Sequence, residues 1–119
     1  MSFDPLLQDL VDRTQGAIGA MFLDREGEAV GIVGPEASRE ELHLVGAYQA
    51  VFLDRLRRIC EGTDTGRPRK FEILLENTAF LNYVLDDEYY VVLVIDREES
   101  RAMAWEALRQ CRERIIEAI

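Results

Sequence analysis

SREELHLVGAYQAVFLDRLRRICEG, from Ser38 to Gly62, reads as one helix with both ends written into it. Ser38 is a candidate N-cap with Glu41 three positions on, the capping-box spacing, and Gly62 falls where a C′ glycine ends a helix. Arg57 and Arg58 suit the negative end of the helix dipole just before it. At about 100° per residue, Leu42, Val45, Phe52, Leu56 and Ile59 form one stripe, with Leu44, Tyr48 and Val51 beside it, an apolar arc of roughly 200°. A helix lying on one sheet needs about half of that. The excess points to a helix covered from two directions, by its own sheet and by another chain; a central helix enclosed within a monomer is the alternative. The remaining arc holds the small residues Ala47 and Ala50, over which a further surface can approach, with His43, Asp54 and Arg57 around them.

On the N-terminal side of this helix, Asp4-Pro5 is an N-cap with proline at the first helical position, and Leu6, Leu7, Leu10 and Val11 recur at helical spacing until Gly16. Ala17 to Leu23 is an unbroken apolar run too short for a helix, which reads as a strand covered on both faces. Asp24-Arg25-Glu26-Gly27 is a turn whose glycine needs positive φ, and Glu28 to Val33 returns as a weaker outer strand interrupted by Gly31. Gly34-Pro35 breaks the chain before Ser38.

On the C-terminal side, the TDTGRPR stretch after Gly62 has the composition of a loop. Arg69 to Glu76 alternates Phe71, Ile73 and Leu75 with Glu72, Leu74 and Glu76, a half-buried strand by its period of two. Phe80 to Leu85 is another strand, Asp86-Asp87-Glu88 an acidic turn, and Tyr89 to Ile95 the strongest β signal, apolar on both faces. Asp96 with Glu99 resembles a second helix start, after which Ala104, Leu108, Cys111, Ile115 and Ile119 trace one helical face.

The order α-β-β-α-β-β-β-α describes an α+β member of the α/β class, a three-layer α/β/α sandwich around a five-stranded antiparallel sheet. If the two fully apolar strands sit together in the middle, the strand order is 2-1-5-4-3. The third strand then lies at an edge, where FEILLE carries only alternate acidic residues to discourage pairing with another chain. An edge strand and an over-apolar helix consecutive in the chain make one composite surface for a two-fold dimer.

The 119 residues fit one domain, residues 1–119, and the 48% hydrophobic and 31% charged composition is that of a folded globular protein. A net charge of −9 argues against nucleic acid and anionic membranes, both of which need clustered Lys and Arg. With no apolar run near about 18 residues and no signal-peptide pattern, the expected location is cytoplasmic. Ser2 follows Met1 where a myristoylation motif has glycine. Cys60 and Cys111, without a CxxC, read as reduced core thiols, so no disulfide or zinc site is expected.

Chemistry is sparse. Phe22-Leu23-Asp24-Arg25-Glu26-Gly27 is an apolar strand followed by DxxG, as at a GTPase switch, but no GxxxxGK[ST] loop accompanies it, and it reads as a hairpin turn. His43 is the only histidine, and no motif links it to Ser38, Ser100 or the cysteines. The acidic turn lacks the spacing of a calcium loop. Arg55, Arg57, Arg58, Arg67, Arg69 and Lys70 are a local basic concentration, a solvated helix end and loop or a docking patch for an acidic protein. Trp105 lies at the margin of the last helix's apolar face. No catalytic residue, metal ligand or cofactor site emerges, and an enzyme is not expected. A small-ligand sensor of the profilin-like or PAS-like kind, with a pocket between sheet and helix, is the other reading, supported by Asn77 and Asn82 alone.

Three stretches, GAIGAMFLDREGEAVGIVG (Gly16 to Gly34), LVGAYQAV (Leu44 to Val51) and FEILLENTAFLNYVLDDEYYVVLVID (Phe71 to Asp96), give the chain a pattern that resembles the Roadblock, or dynein light chain, superfamily, and within it the bacterial MglB-type proteins. It departs from them in the bulky Tyr48 and Phe52. The resemblance implies a profilin-like fold, a homodimer or heterodimer joined through the third strand and second helix, and a second-helix platform for small Ras-like GTPases. Some dimers of the family accelerate GTP hydrolysis without contributing a catalytic residue, and others are scaffolds. By position, Gly46, Ala47 and Ala50 match the place where the family's helix meets its partner. The expected partner face is therefore His43, Gly46, Ala47, Ala50, Asp54 and Arg57. The expected dimer seam is Leu44, Tyr48, Val51, Arg55, Phe71, Ile73 and Leu75.

Overall fold

The structure, a computed structural model, describes residues 2–97 and 100–119. The elements run α1 (Asp4–Arg13), β1 (Ala17–Asp24), β2 (Ala29–Val33), a 3-10 turn (Glu36–Ser38), α2 (Arg39–Glu61), β3 (Lys70–Leu74), β4 (Thr78–Val84), β5 (Tyr89–Asp96) and α3 (Arg101–Ala118). The strands form one antiparallel sheet in the order β2-β1-β5-β4-β3. The expected α/β/α sandwich, with its element order, strand order and edge strand, is therefore present.

The sheet's pleat divides the core in two. Ala20 and Phe22 of β1, Ala79 and Leu81 of β4, and Val91, Leu93 and Ile95 of β5 face α1 and α3, meeting Leu7, Leu10, Leu108, Cys111 and Ile115. Met21 and Leu23, with Tyr90, Val92 and Val94, face α2 and meet Leu42, Ala50 and Leu53. Because β1 and β5 are apolar at every position before their terminal Asp24 and Asp96, they can be covered on both sides; their place at the centre of the sheet follows. The hairpin β1–β2 turns at Gly27, whose φ of 86° suits glycine, and Asp24 Oδ1 accepts from the backbone N–H of Glu26 and Glu28, each at 3.0 Å. The DxxG motif is thus a side-chain-capped turn.

The helix ends differ from those expected. Ser38 closes the 3-10 turn and makes no side-chain cap, so the capping box with Glu41 is not formed. Gly62 is the C-cap of α2 at φ −85°, a conformation open to any residue. Asp4 lies inside α1 with Phe3 before it, and Ser2 Oγ accepts from the Asp4 N–H at 3.2 Å. Asp96 is the last residue of β5, and α3 is capped instead by Ser100, whose side chain accepts from the Met103 N–H at 3.4 Å. Glu99, the other half of the expected start, lies outside the described residues. Cys111 is buried, its thiol pushed up to about 11 by desolvation, while Cys60 is only half-buried and does not belong to the core as expected.

Candidate interaction surface

The inward face of α2 is built for close approach as much as for apolarity. Gly46 lies over β1, where an added Cβ would stand 3.1 Å from Leu23 Cδ1 and 3.3 Å from Met21 Sδ. Its carbonyl accepts from the Tyr90 hydroxyl at 3.1 Å, and burial raises the Tyr90 pKa well above its ordinary value. One turn on, Gln49 is buried and its Oε1 accepts from Asn82 Nδ2 of β4 at 2.9 Å. Leu53 completes the row. The β1–β2 turn wedges against the same side of the helix: a Cβ on Gly27 would come within 3.0 Å of the Ala47 Cα and 3.1 Å of the Ala50 Cβ.

These contacts correct the expected phase of the helix. Phe52 and Ile59, expected in the inward stripe, are 39% and 63% exposed, whereas Leu53, assigned to neither stripe, is buried. Gly46 and Ala50, expected on the partner face, are buried against their own sheet and turn. His43 and Ala47 are exposed and Asp54 is half-buried, with Asp54 held by Arg58 at 3.2 Å. Together with Arg25 and Glu26 of the turn, Ala47, Asp54 and Arg58 border a shallow depression of about 360 Å³. Arg57 is drawn away from it, donating to the Asp86 carbonyl at 3.3 Å.

On the flank away from the β1–β2 turn, Leu44 (57% exposed), Tyr48 (55%), Phe52 and Ile59 form an exposed apolar strip; Val51 (47%) and Arg55, exposed beside them, also border the depression against Arg25 and Glu26. This strip lies on the β3 side of the helix. β3 bonds to β4 on one side only, leaving its other edge open. Phe71 and Ile73 are half-buried; Phe71 packs with the core under α2. Leu75 falls beyond the end of β3, in the turn to β4, and is exposed. The expected seam residues are therefore brought to one side of the molecule, with Phe71 partly committed to the core. Clusters of exposed apolar side chains of this kind mark association surfaces.

The basic concentration does not form one patch. Arg58 pairs with Asp54, Arg67 with Asp87 at 3.1 Å, and the Lys70 ammonium lies 5.1 Å from the Trp105 ring centroid on the opposite side of the sheet. Trp105 itself donates to Glu72 at 3.0 Å. A cleft of about 800 Å³ opens between the end of α2, the loop after it and the β4–β5 turn, where Arg25, Arg57, Arg67, Arg69 and Arg112 stand among Glu61, Asp64, Asp86 and Asp87. The space between sheet and α2, where a ligand sensor would keep its pocket, holds the Gln49–Asn82 pair, and Asn77 is exposed in the β3–β4 turn. Among the described residues, no group of three or more His, Cys, Asp and Glu side chains is placed to hold a metal ion, and no helix is long and apolar enough to cross a membrane.

No family model and no curated protein matches the sequence. Solved structures match in shape over nearly the whole chain. A Roadblock/LC7 domain from Streptomyces avermitilis is 16% identical over 99% of this chain and 98% of its own, with a TM-score of 0.89. An MglB structure described as having a tetrameric arrangement is 15% identical over 93% of this chain and 82% of its own, TM-score 0.81. Profilin IA from Acanthamoeba castellanii is 12% identical over 98% of each chain, TM-score 0.62. The fold is that of the Roadblock/LC7 domains, within the wider profilin-like architecture.

Proposed function

We propose that this chain, as a single Roadblock-like domain over residues 1–119, is a non-catalytic cytoplasmic interaction module that pairs with a second copy and, as a pair, binds a small Ras-like GTPase. The observation that carries the reading is the exposed apolar strip on α2 beside the open edge of β3. A second copy related by a two-fold axis would cover both at once, since the same patch on each chain meets itself. The fold, shared with Roadblock/LC7 and MglB structures, one of them tetrameric by description, supports assembly through such a surface.

The GTPase would dock where Ala47 and Asp54 border the shallow depression beside the β1–β2 turn, with His43 exposed on the same helix. Gly46 and Ala50 serve that face from beneath, by letting the helix and turn approach closely. The module would bias the GTPase's conformation by binding and contribute no reacting group of its own.

Ala47→Arg tests this. The immobilised wild-type protein should retain a Ras-like GTPase from its own cell extract supplemented with a non-hydrolysable GTP analogue. The variant should bind the same purified GTPase at least tenfold more weakly, about 1.4 kcal/mol, and remain dimeric. Retention of no GTPase, or equal affinity for both proteins, would overturn the assignment.

A further inference from the structure

We propose that the cleft at the end of α2 is a binding site for a small phosphorylated anion, held by Arg25, Arg57, Arg69 and Arg112. The site depends on neither the pairing nor the GTPase docking above.

The sequence spreads these four arginines over four segments, and the fold brings them to one cleft. Arg25 comes from the β1–β2 turn, Arg57 from α2, Arg69 from the loop before β3, and Arg112 from α3 on the other side of the sheet. With Arg67 they are five of the chain's 14 basic residues, whereas the same walls hold four of its 23 acidic ones. A chain of net charge −9 thus concentrates its cations here. The volume of about 800 Å³ lies within the range of roughly 300–1,000 Å³ in which small-molecule sites fall.

What these arginines bond to decides how much of that charge is free. Arg112 Nε donates to the Val84 carbonyl at 2.9 Å and its Nη2 to that of Leu85 at 3.5 Å, while Arg57 Nη2 donates to the Asp86 carbonyl at 3.3 Å. Three successive carbonyls at the β4–β5 turn are therefore taken by two arginines, one from each face of the sheet. A carbonyl is uncharged, so these bonds fix the guanidiniums without neutralising them. Arg69 is held by its backbone, its carbonyl accepting from the Val84 N–H at 2.9 Å. Its side chain, like that of Arg25, is exposed and makes no ion pair or hydrogen bond among the described residues.

Two of the four carboxylates are already engaged. Asp87 pairs with Arg67 at 3.1 Å, and Asp86 Oδ1 caps its own turn by accepting from the N–H groups of Glu88 and Tyr89 at 2.8 and 2.9 Å. Holding the turn explains Arg57 and Arg112 and leaves Arg25 and Arg69 without a role. An anion gives all four one, since the planar guanidinium matches the paired oxygens of a phosphoryl or carboxylate group. Among carboxylates already present, a ligand must bring more charge per group than they carry. A phosphoryl group, with up to about two negative charges at neutral pH, does so.

Calorimetric titration of the full chain with sodium pyrophosphate, at constant ionic strength, tests the site. Wild type should bind one pyrophosphate per chain, and at least fivefold more tightly than citrate. Arg25→Gln and Arg69→Gln should each weaken binding at least fivefold, while Arg13→Gln, before the opposite end of β1, should stay within twofold of wild type. All three positions are exposed, so the variants should fold as wild type does. Cys60 supplies a second readout, because it lines the cleft and is half-buried whereas Cys111 is buried. Bound pyrophosphate should slow its alkylation by an uncharged maleimide at least threefold. No saturable binding at about 10 mM, a loss in Arg13→Gln equal to that in Arg69→Gln, or unchanged Cys60 alkylation would overturn the site. Citrate binding as tightly as pyrophosphate would overturn its phosphoryl class.

Discussion

Gly46→Arg should unfold the protein under conditions in which Ala47→Arg, one residue along the same helix, leaves it folded. The two positions differ by about 100° around α2, and that rotation separates a buried face from an exposed one. At Gly46 even a single Cβ would sit 3.1 Å from Leu23 Cδ1 and 3.2 Å from Leu23 Cδ2. An arginine has no exit there. It would lift the helix from β1, break the Tyr90 hydroxyl bond to the Gly46 carbonyl, and leave a cation among Met21, Leu23 and Val92 without a counter-charge. Overpacking and an unpaired buried charge together cost about 4 kcal/mol or more, much of the stability of an ordinary domain. Ala47→Arg should change stability by no more than about 0.5 kcal/mol. Urea denaturation followed by circular dichroism measures both; equal loss in the two variants would mean that α2 is seated in a different phase.

The second large effect lies one turn further along. Gln49 and Asn82 are 1% and 0% exposed and bond to each other at 2.9 Å, while Gln49 Nε2 and Asn82 Oδ1 find no partner among the described residues. A buried amide left without its mate costs more than the bond itself contributes, whereas replacing both amides by apolar groups removes the debt altogether. Gln49→Leu and Asn82→Leu should each destabilise by about 2–3 kcal/mol. The double variant should lose clearly less than the sum, with a coupling of about 1–3 kcal/mol in a double-mutant cycle. Simple additivity would indicate that the two side chains do not meet in solution.

The sheet was legible because its signals are ones that hydrophobicity carries well. Residues 17–23 and 89–95 are apolar at consecutive positions, which a strand can satisfy only at the centre of a sheet covered on both faces, and the turns at Gly27 and Asp86-Asp87-Glu88 keep neighbours antiparallel. Strand ends were less so: Leu75 and Glu76 continue the alternation of β3 but already belong to the turn, where the Leu75 N–H donates to the Thr78 carbonyl at 2.8 Å.

The width of the apolar arc on α2 was legible too, and the exposed Leu44, Tyr48 and Val51 correspond to its excess. Its phase was not. A helix with so broad an apolar arc can be rotated by tens of degrees with little change in the pattern. What turns the inward face toward the sheet is fit: Gly46 admits Leu23, Ala50 admits the Gly27 turn, and Gln49 meets Asn82. Glycine, alanine and glutamine carry little hydrophobic signal, so reading apolarity sent Ala50 outward and Phe52 and Ile59 inward, and the family resemblance added Gly46 to the outward face. A run of small residues matched to a tight glycine turn elsewhere in the chain is the signal that points the other way.

Pairing through the α2 strip and the β3 edge is the premise on which the GTPase platform stands. Sedimentation equilibrium of the purified chain across the micromolar range, beside the Tyr48→Glu variant, tests it most directly. The prediction is twice the chain mass for wild type, and a dissociation constant raised about a hundredfold, near 2.7 kcal/mol, when an unpaired carboxylate is set within the seam. A wild-type protein of single-chain mass at every concentration, or a Tyr48→Glu dimer as tight as wild type, would contradict it.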